Sequence, residues 1–310
     1  MPRFSVIIPV YNKEKHLSKT LESVLQQSHA DFEVIIVNDG STDSSEKIIK
    51  TFKDPRFHYI KQENQGVSVA RNTGIKAANA NYIALLDADD IWDHQYLESI
   101  NTLIDSHPKQ HVFACACTIE SSGATHSPIY SIKNIVPNNT YTLSYFTSSF
   151  VNTILTSSST VLHKSVLETI GYYNPVLRSG EDTDLWIRVG LGYNVVFLNT
   201  PLATYRFEPS SLSNSPKQVK NTLDLDCYEK HIANHTGLKK LLDLNRYSLA
   251  LFAKRTGNKK NYLKYKKGID QKSLNKKQRF LINAPSFVLR SLVSVKGGLE
   301  KVGLQLSTYK

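Results

Sequence analysis

Cysteine is scarce: three in 310 residues, Cys115, Cys117 and Cys227. Three thiols cannot build a disulfide framework, and Cys-Ala-Cys is too tight a spacing for an ordinary zinc half-site. No apolar run approaches the ~20 residues of a spanning helix, which argues against an integral membrane protein. The run Ser5 to Val10 is too short for a signal h-region and leads into charged sequence. Neither a Gly-x-x-x-x-Gly-Lys-Ser/Thr loop nor a Gly-x-Gly-x-x-Gly fingerprint occurs. Their absence removes the kinase, ATPase and dehydrogenase readings that a nucleotide-sized α/β chain invites. Two sequons, at Asn138 and Asn234, match by chance often enough to carry no weight. The expectation is a reduced, cytosolic protein. With 40 % hydrophobic residues there is core material enough to exclude a wholly disordered chain.

Acidic residues are scarce at one end only. Residues 1–213 carry 17 Lys+Arg against 21 Asp+Glu, a net −4, whereas residues 214–310 carry 21 against 6, a net +15. That asymmetry predicts two functional regions. The acidic one should bind through its carboxylates, with or without a cation; the basic one should face nucleic acid or an anionic membrane.

The first ninety residues alternate strand and helix patterns. Phe4 to Val10, Phe32 to Val37, Phe57 to Ile60 and Tyr82 to Leu86 read as strands. Helices are expected at Leu17–Leu25, after a capping box Asp43-Ser-Ser-Glu46, and at Val67–Ala78. Repeated β-α-β units argue for an α/β fold with a mostly parallel sheet flanked by helices, its site beyond the carboxyl ends of the strands. Further helices are expected at His94–Ser106 and Glu181–Leu191. Strands are expected near Val112–Ile119, at Val195–Leu198 and at Leu202–Phe207. A composition shift after Ser215-Pro216 sets the domains at 1–213 (halves 1–92 and 93–213) and 214–310.

The rim residues have two readings each. Asp87 and Asp89, two apart at a strand end, would point the same way and suit a hard divalent cation, or they are an ordinary acidic turn. Asp39, in Val-Asn-Asp-Gly-Ser-Thr-Asp, would accept the imide N–H of a uracil, or serve a turn and a helix cap. Gly66 and Arg71, at the opening of a helix, favour a diphosphate or sugar hydroxyls. Ser179-Gly-Glu181-Asp182 is either a capping box or the source of a general base.

Five segments occur in order: Ser-Val-Ile-Ile-Pro-Val-Tyr-Asn12, Val-Asn-Asp-Gly-Ser-Thr-Asp43, Asn64-x-Gly-Val-Ser-x-Ala-Arg-Asn-x-Gly74, Leu-Leu-Asp-Ala-Asp-Asp90 and Gly-Glu-Asp-x-Asp-Leu-Trp186. Together they closely resemble the inverting family 2 glycosyltransferases of GT-A fold, of the bacterial cell-surface polysaccharide type, over roughly residues 3–213. The resemblance implies a metal-dependent transferase using a nucleotide-sugar, most often a UDP-sugar, with a saccharide or lipid-linked acceptor. It implies that Tyr11 and Asp39 hold the uracil, Pro9 and Asn12 shape that end of the pocket, and Arg71, Asp87 and Ala88 lie along the donor. Asp89 would bind Mn²⁺ or Mg²⁺, and Asp182 would be the base. Glu181 and Trp186 would lie on the acceptor side, Trp186 packing beneath the site rather than stacking on sugar. The sequence departs from the family at Glu208, which stands where many relatives place a metal-side histidine; glutamate can ligate a hard metal too.

Residues 214–310 carry no family motif. Val288, Leu292, Val295, Leu299, Val302 and Leu306 form a helical stripe, interrupted by Gly297-Gly298. The expectation is a helical extension making a peripheral contact with an anionic membrane at its cytoplasmic face. A helix packed on the catalytic domain or on a second copy is the alternative. No nucleic-acid motif accompanies the lysines. Two rival functions are a non-catalytic nucleotide-sugar-binding module and a basic nucleic-acid binder on an α/β scaffold.

Overall fold

The computed structural model describes residues 1–121, 124–206, 221–289 and 291–292. The chain divides into two compact units, one of residues 1–148 and 153–223, the other of 149–152 and the chain from Asp224. The expected boundary at residue 213, like Glu208 and the stripe beyond Leu292, lies outside the described residues.

In the first unit the order is β1 (Phe4–Val10), α1 (Leu17–Leu25), β2 (Phe32–Asp39), α2 (Ser45–Thr51), β3 (Phe57–Gln62), α3 (Val67–Ala77), β4 (Tyr82–Leu85) and β5 (Ile91–Trp92). There follow α4 (Tyr96–Ser106), β6 (Val112–Ser121), β7 (Ala124–His126), β8 (Thr140–Leu143), α5 (Tyr145–Ser148), β9 (Thr160–His163), α6 (Lys164–Ile170), α7 (Glu181–Gly192) and β10 (Val195–Arg206). One mixed sheet runs β3-β2-β1-β4-β9-β6-β10-β5, with β7 beside β6 and β8 beside β10. The strand compositions explain the order. Every residue of Phe-Glu-Val-Ile-Ile-Val-Asn-Asp in β2 is buried, as a parallel strand covered on both faces requires. The more polar β3, exposed at His58, Tyr59 and Lys61, takes the edge.

The first half is parallel: β1 pairs β2 and β4, and β2 pairs β3. The short β9 then enters antiparallel between β4 and β6. Its reversal brings the segment leading into it to the same edge as the carboxyl end of β4. Leu17, Leu21 and Val24 of α1 pack in one core with Val6, Ile8, Val34 and Trp92. Helix α3 crosses β1 so closely that a Cβ on Gly74 would lie 2.5 Å from Ile7 Cγ2. This explains glycine at the end of the Asn-x-Gly segment.

Three local expectations change. Asp43 does not form a capping box with Glu46; its carboxylate takes the Ser45 and Glu14 N–H groups, and Glu46 turns to Lys50 and Lys61. The strands expected at 195–198 and 202–207 are one strand, β10, with a register irregularity around Pro201, where the proline carries no N–H for a regular ladder. Asp87-Ala-Asp-Asp90 is a turn past the end of β4, closed by Asp90 N–H donating to the Asp87 carbonyl at 3.0 Å. The two-residue alternation of a strand therefore does not set where its carboxylates point.

At the amino end of the sheet, opposite the rim, Glu33 is a buried charge. It accepts from Ser5 Oγ at 2.6 Å and from the Asn79 backbone and side-chain N–H groups at 2.7 and 2.8 Å. Burial raises its carboxyl, but these donors outweigh burial and hold it below the ordinary 4.5. Its contribution to stability is therefore present above 4.5 and lost as the pH falls through the lowered value. We expect Glu33→Ala to cost about 2 kcal/mol in urea unfolding at neutral pH, and less in acid, because buried donors are stranded. An unchanged midpoint would contradict this.

Candidate active site

The rim is built from the carboxyl ends of β1, β2 and β4, the 3₁₀ turn Ser157–Ser159 before β9, and the first turn of α7. Thr20 of α1 holds the 87–90 turn from beneath, its hydroxyl donating to the Ala88 and Asp90 carbonyls at 3.1 and 2.8 Å. Asp90 points inward: it is 2 % exposed and accepts from Ser158 Oγ at 2.5 Å and from the Arg206 N–H at 2.9 Å. Burial and the charge of Asp87 raise its carboxyl well above the usual range. The turn, the β9 entrance and the end of β10 are thus tied at one carboxyl group.

Arg71 occupies the centre. Its side chain is 4 % exposed and lies over the Tyr173 ring, 4.9 Å from centroid to Cζ. Nη2 donates to Asp87 Oδ1 at 2.7 Å, and Nη1 to Asp182 Oδ1 at 3.0 Å, with Glu181 Oε1 3.8 Å from Nη1. One guanidinium therefore joins the carboxylate after β4 to the carboxylate opening α7, across 111 residues of sequence. The neighbouring Asn72 fixes the ring that Arg71 lies on, bonding the Tyr173 backbone N–H and carbonyl at 3.0 and 2.8 Å. The adjacency of arginine and asparagine in this helix follows from that division of labour.

The Ser179-x-x-Asp182 capping box does not form. Gly180 is the N-cap, in the left-handed conformation with no side-chain bond, and Asp182 turns to Arg71 and Ser157 Oγ, the latter at 3.1 Å. The side chain of Asp182 is 39 % exposed. Packed protein around it raises its carboxyl above the ordinary 3.8; the like charge of Asp87 adds to this, and Arg71 opposes it. Burial and Asp182 raise Glu181 likewise. Asp182 is thus a stronger base than a free aspartate while one face remains open to solvent.

The other sequence candidates fall as follows. Asp39 is 2 % exposed and accepts from Gln62 Nε2 at 2.7 Å and from the backbone N–H groups of Gln65 and Gly66 at 2.9 and 2.8 Å. Three of about four acceptor positions on the carboxylate pin the loop before α3. Asn12, at φ 53°, clamps the β1 loop to the β2 loop through Ser41 and Thr42. Pro9 is partly buried within β1, and Tyr11 beyond it is 44 % exposed. Ala88 and Trp186 are buried at 1 % and 2 %, so Trp186 is a core side chain beneath the first turn of α7. Asp89 lies at the rim, its Oδ2 paired with Lys13 Nζ.

Sequence reasoning missed Lys13, Ser157, Ser158, Tyr173 and Tyr205. The serines lie in a Ser/Thr-rich stretch with no distinguishing pattern, Lys13 and Tyr173 belong to no motif, and Tyr205 lies in the family-like segment that leads to Glu208. Tyr205 adjoins the whole acidic group: burial first, then the charges of Asp90, Asp87, Asp89 and Asp182, push its hydroxyl up to about 12. Among the described residues no group of three or more His, Cys, Asp or Glu is arranged to hold an ion.

This combination, a parallel half-sheet carrying an acidic rim and a second half that closes on it, is the GT-A fold. Staphylococcus aureus TarS (residues 1–349, solved with UDP-GlcNAc) shares the fold, with a TM-score of 0.66 over 94 % of this chain and 92 % of that one at 19 % identity. The sequence profile of Glycosyl transferase family 2 matches residues 5–171, and the chain belongs to that family. The chain is 30 % identical to the putative teichuronic acid biosynthesis glycosyltransferase TuaG of Bacillus subtilis, over 71 % of this chain and 86 % of TuaG. It is 33 % identical to glycosyltransferase GlyA of Streptococcus pneumoniae over 68 % of this chain, but spans only about a third of that protein's length (31 %).

We expect the Asp182 carboxyl, followed by ¹³C NMR titration, to titrate above the ordinary 3.8, and to rise further in Arg71→Met, where the opposing cation is lost. A value that falls on removing Arg71 would contradict the assigned electrostatics.

Proposed function

We propose that the chain is an inverting glycosyltransferase that moves a sugar from a UDP-sugar to a hydroxyl of a saccharide or lipid-linked saccharide in cell-surface polysaccharide synthesis. The observation that supports this reading is the Arg71 bridge, one guanidinium joining the carboxylates of Asp87 and Asp182, which would serve as donor-side ligand and base. The UDP and UDP-GlcNAc complexes of TarS and the teichuronic acid role in TuaG's name support the donor and acceptor classes. The work is peripheral, at the cytoplasmic membrane face reached through the basic region from residue 214. No helix among the described residues is long and apolar enough to cross a membrane.

Each residue has a task. Tyr11 offers an exposed ring to the uracil, and Asp39 offers its remaining lone pair to the imide N–H. Asp87 receives the ribose or sugar hydroxyls. Asp182, raised above the ordinary range and open on one side, takes the proton of the acceptor hydroxyl, and that oxygen attacks the anomeric carbon from the face opposite the leaving group. Ser157 and Tyr173 hold the carboxylate in place, so that proton transfer does not wait on a side-chain rotation.

The local charge argues for a cation. Among the described residues the cations paired with Asp87, Asp89, Glu181 and Asp182 are Arg71 and Lys13, and a nucleoside diphosphate would add more negative charge. The donor set is all oxygen, which fits Mn²⁺ or Mg²⁺ held by Asp89, with Glu208 as a further candidate, and otherwise by phosphate oxygens. When bound, the ion neutralises charge on the departing diphosphate. Lys13 already presents a cation to Asp89.

Asp182→Asn should leave UDP-sugar binding within about twofold while transfer falls roughly a thousandfold, within the range for loss of a general base. Transfer that survives would remove Asp182 from the chemistry, and a loss of binding would make it a donor ligand. Mn²⁺ should raise the melting temperature in UDP-sugar, with EDTA or Asp89→Ala abolishing the shift. A shift indifferent to both would refute the metal assignment.

A further inference from the structure

The second unit sets α8 (Leu238–Arg255), α9 (Lys259–Lys267) and α10 (Lys276–Asn283) around a small core. Leu244, Tyr247, Ala250, Ile269, Leu274 and Ile282 form it, with Tyr262 and Tyr265 of α9 against it. Among the described residues, most acids of this unit are engaged by partners within it. Arg246, 1 % exposed, draws in Asp226 and Glu229 at 2.5 and 2.8 Å, with Asp243 at 3.6 Å. Asp243 also takes Lys239 and Ser273, and Asp270 caps the 3₁₀ turn through the Lys272 N–H. Residues 254–279 contain eleven Lys+Arg and one acid. Of the exposed lysines on α9 and α10, Lys264 alone has an acid within 4 Å among the described residues, Asp224 at 3.6 Å.

The outer faces repeat one pattern. On α9 the exposed Leu263, 53 % accessible, lies three and four positions from Lys260, Lys259 and Lys267, so one face carries an apolar side chain ringed by cations. On α10 Phe280, 64 % accessible, stands in the same relation to Lys276 and Lys277. Phe287 follows at 71 %, and Phe280 and Phe287 are the only phenylalanines exposed among the described residues. Lysines alone would suit any polyanion. Phenylalanine can stack on an unpaired base, but Leu263 has no ring to offer one, and a duplex backbone or a soluble anionic polymer would leave all three apolar side chains in water. A bilayer answers both, with phosphate headgroups at the ammonium groups and acyl chains beneath.

We infer that the outer faces of α9 and α10, with Phe287, are a docking surface for a bilayer bearing anionic headgroups, with Leu263, Phe280 and Phe287 as the inserted side chains. This deepens the membrane contact proposed above and is independent of the transferase site. The test is flotation of the full chain with vesicles of phosphatidylcholine alone, or of equal parts phosphatidylcholine and phosphatidylglycerol. The chain should float with the anionic vesicles only and be released by salt. Lys259→Gln, Lys260→Gln, Lys264→Gln and Lys267→Gln should weaken partition by about fivefold for each lysine removed. Phe280→Ser with Phe287→Ser should weaken it roughly tenfold or more with every lysine retained. Equal flotation with both vesicle types, none with the anionic type, or undiminished flotation of the phenylalanine variant would overturn the proposal. So would binding to a single-stranded RNA oligonucleotide tighter than to the anionic vesicles. UDP-sugar binding in solution, measured on the same variants, should be unaltered, which separates a failure of docking from a failure of the transferase reading.

Discussion

The first unit depends on one buried cation. Arg71 is held from below by the face of Tyr173 and on two sides by carboxylates from the β4 turn and the start of α7. A guanidinium removed from water needs paired charge, and a planar fork can serve two carboxylates without moving. The two halves of the sheet are thereby tied at the point where donor and acceptor would meet. Removing Arg71 would leave Asp87, Glu181 and Asp182 as neighbouring like charges, so the residue is at once structural and electrostatic.

Around that bridge the loops are fixed mainly by short polar side chains acting on backbone. Asp39 pins the loop before α3, Asn12 joins the β1 and β2 loops, Asn72 holds Tyr173, and Asp90 joins the β4 turn to β10. At least two of these occupy motif positions that look, from sequence, like direct ligands. Their positions are explained equally by the need to present the neighbouring residue, and at Asp39 both demands meet on one carboxylate.

Charge is divided unevenly along the chain. The first unit concentrates acid at a rim and balances it in part with Lys13 and Arg71. The second pairs Asp226, Glu229 and Asp243 with the buried Arg246 and leaves lysines of α9 and α10 exposed.

Much of the parallel half-sheet was legible in the chain. The β-branched runs, the helical spacing of Leu17, Leu21 and Val24, and polar residues at strand ends are local signals, and local burial writes them directly into sequence. The acidic rim and its candidate residues followed from the same signals, taken with family resemblance. The antiparallel insertion of β9 was not legible, because Thr-Val-Leu-His has the composition of any short strand and direction leaves no mark on it. Nor were the partners. Arg71 and Asp182 stand 111 residues apart, and Lys13 and Asp89 stand 76 apart. Which charges meet is decided by strand order and helix placement, since Coulomb attraction depends on distance in space and is blind to distance along the chain.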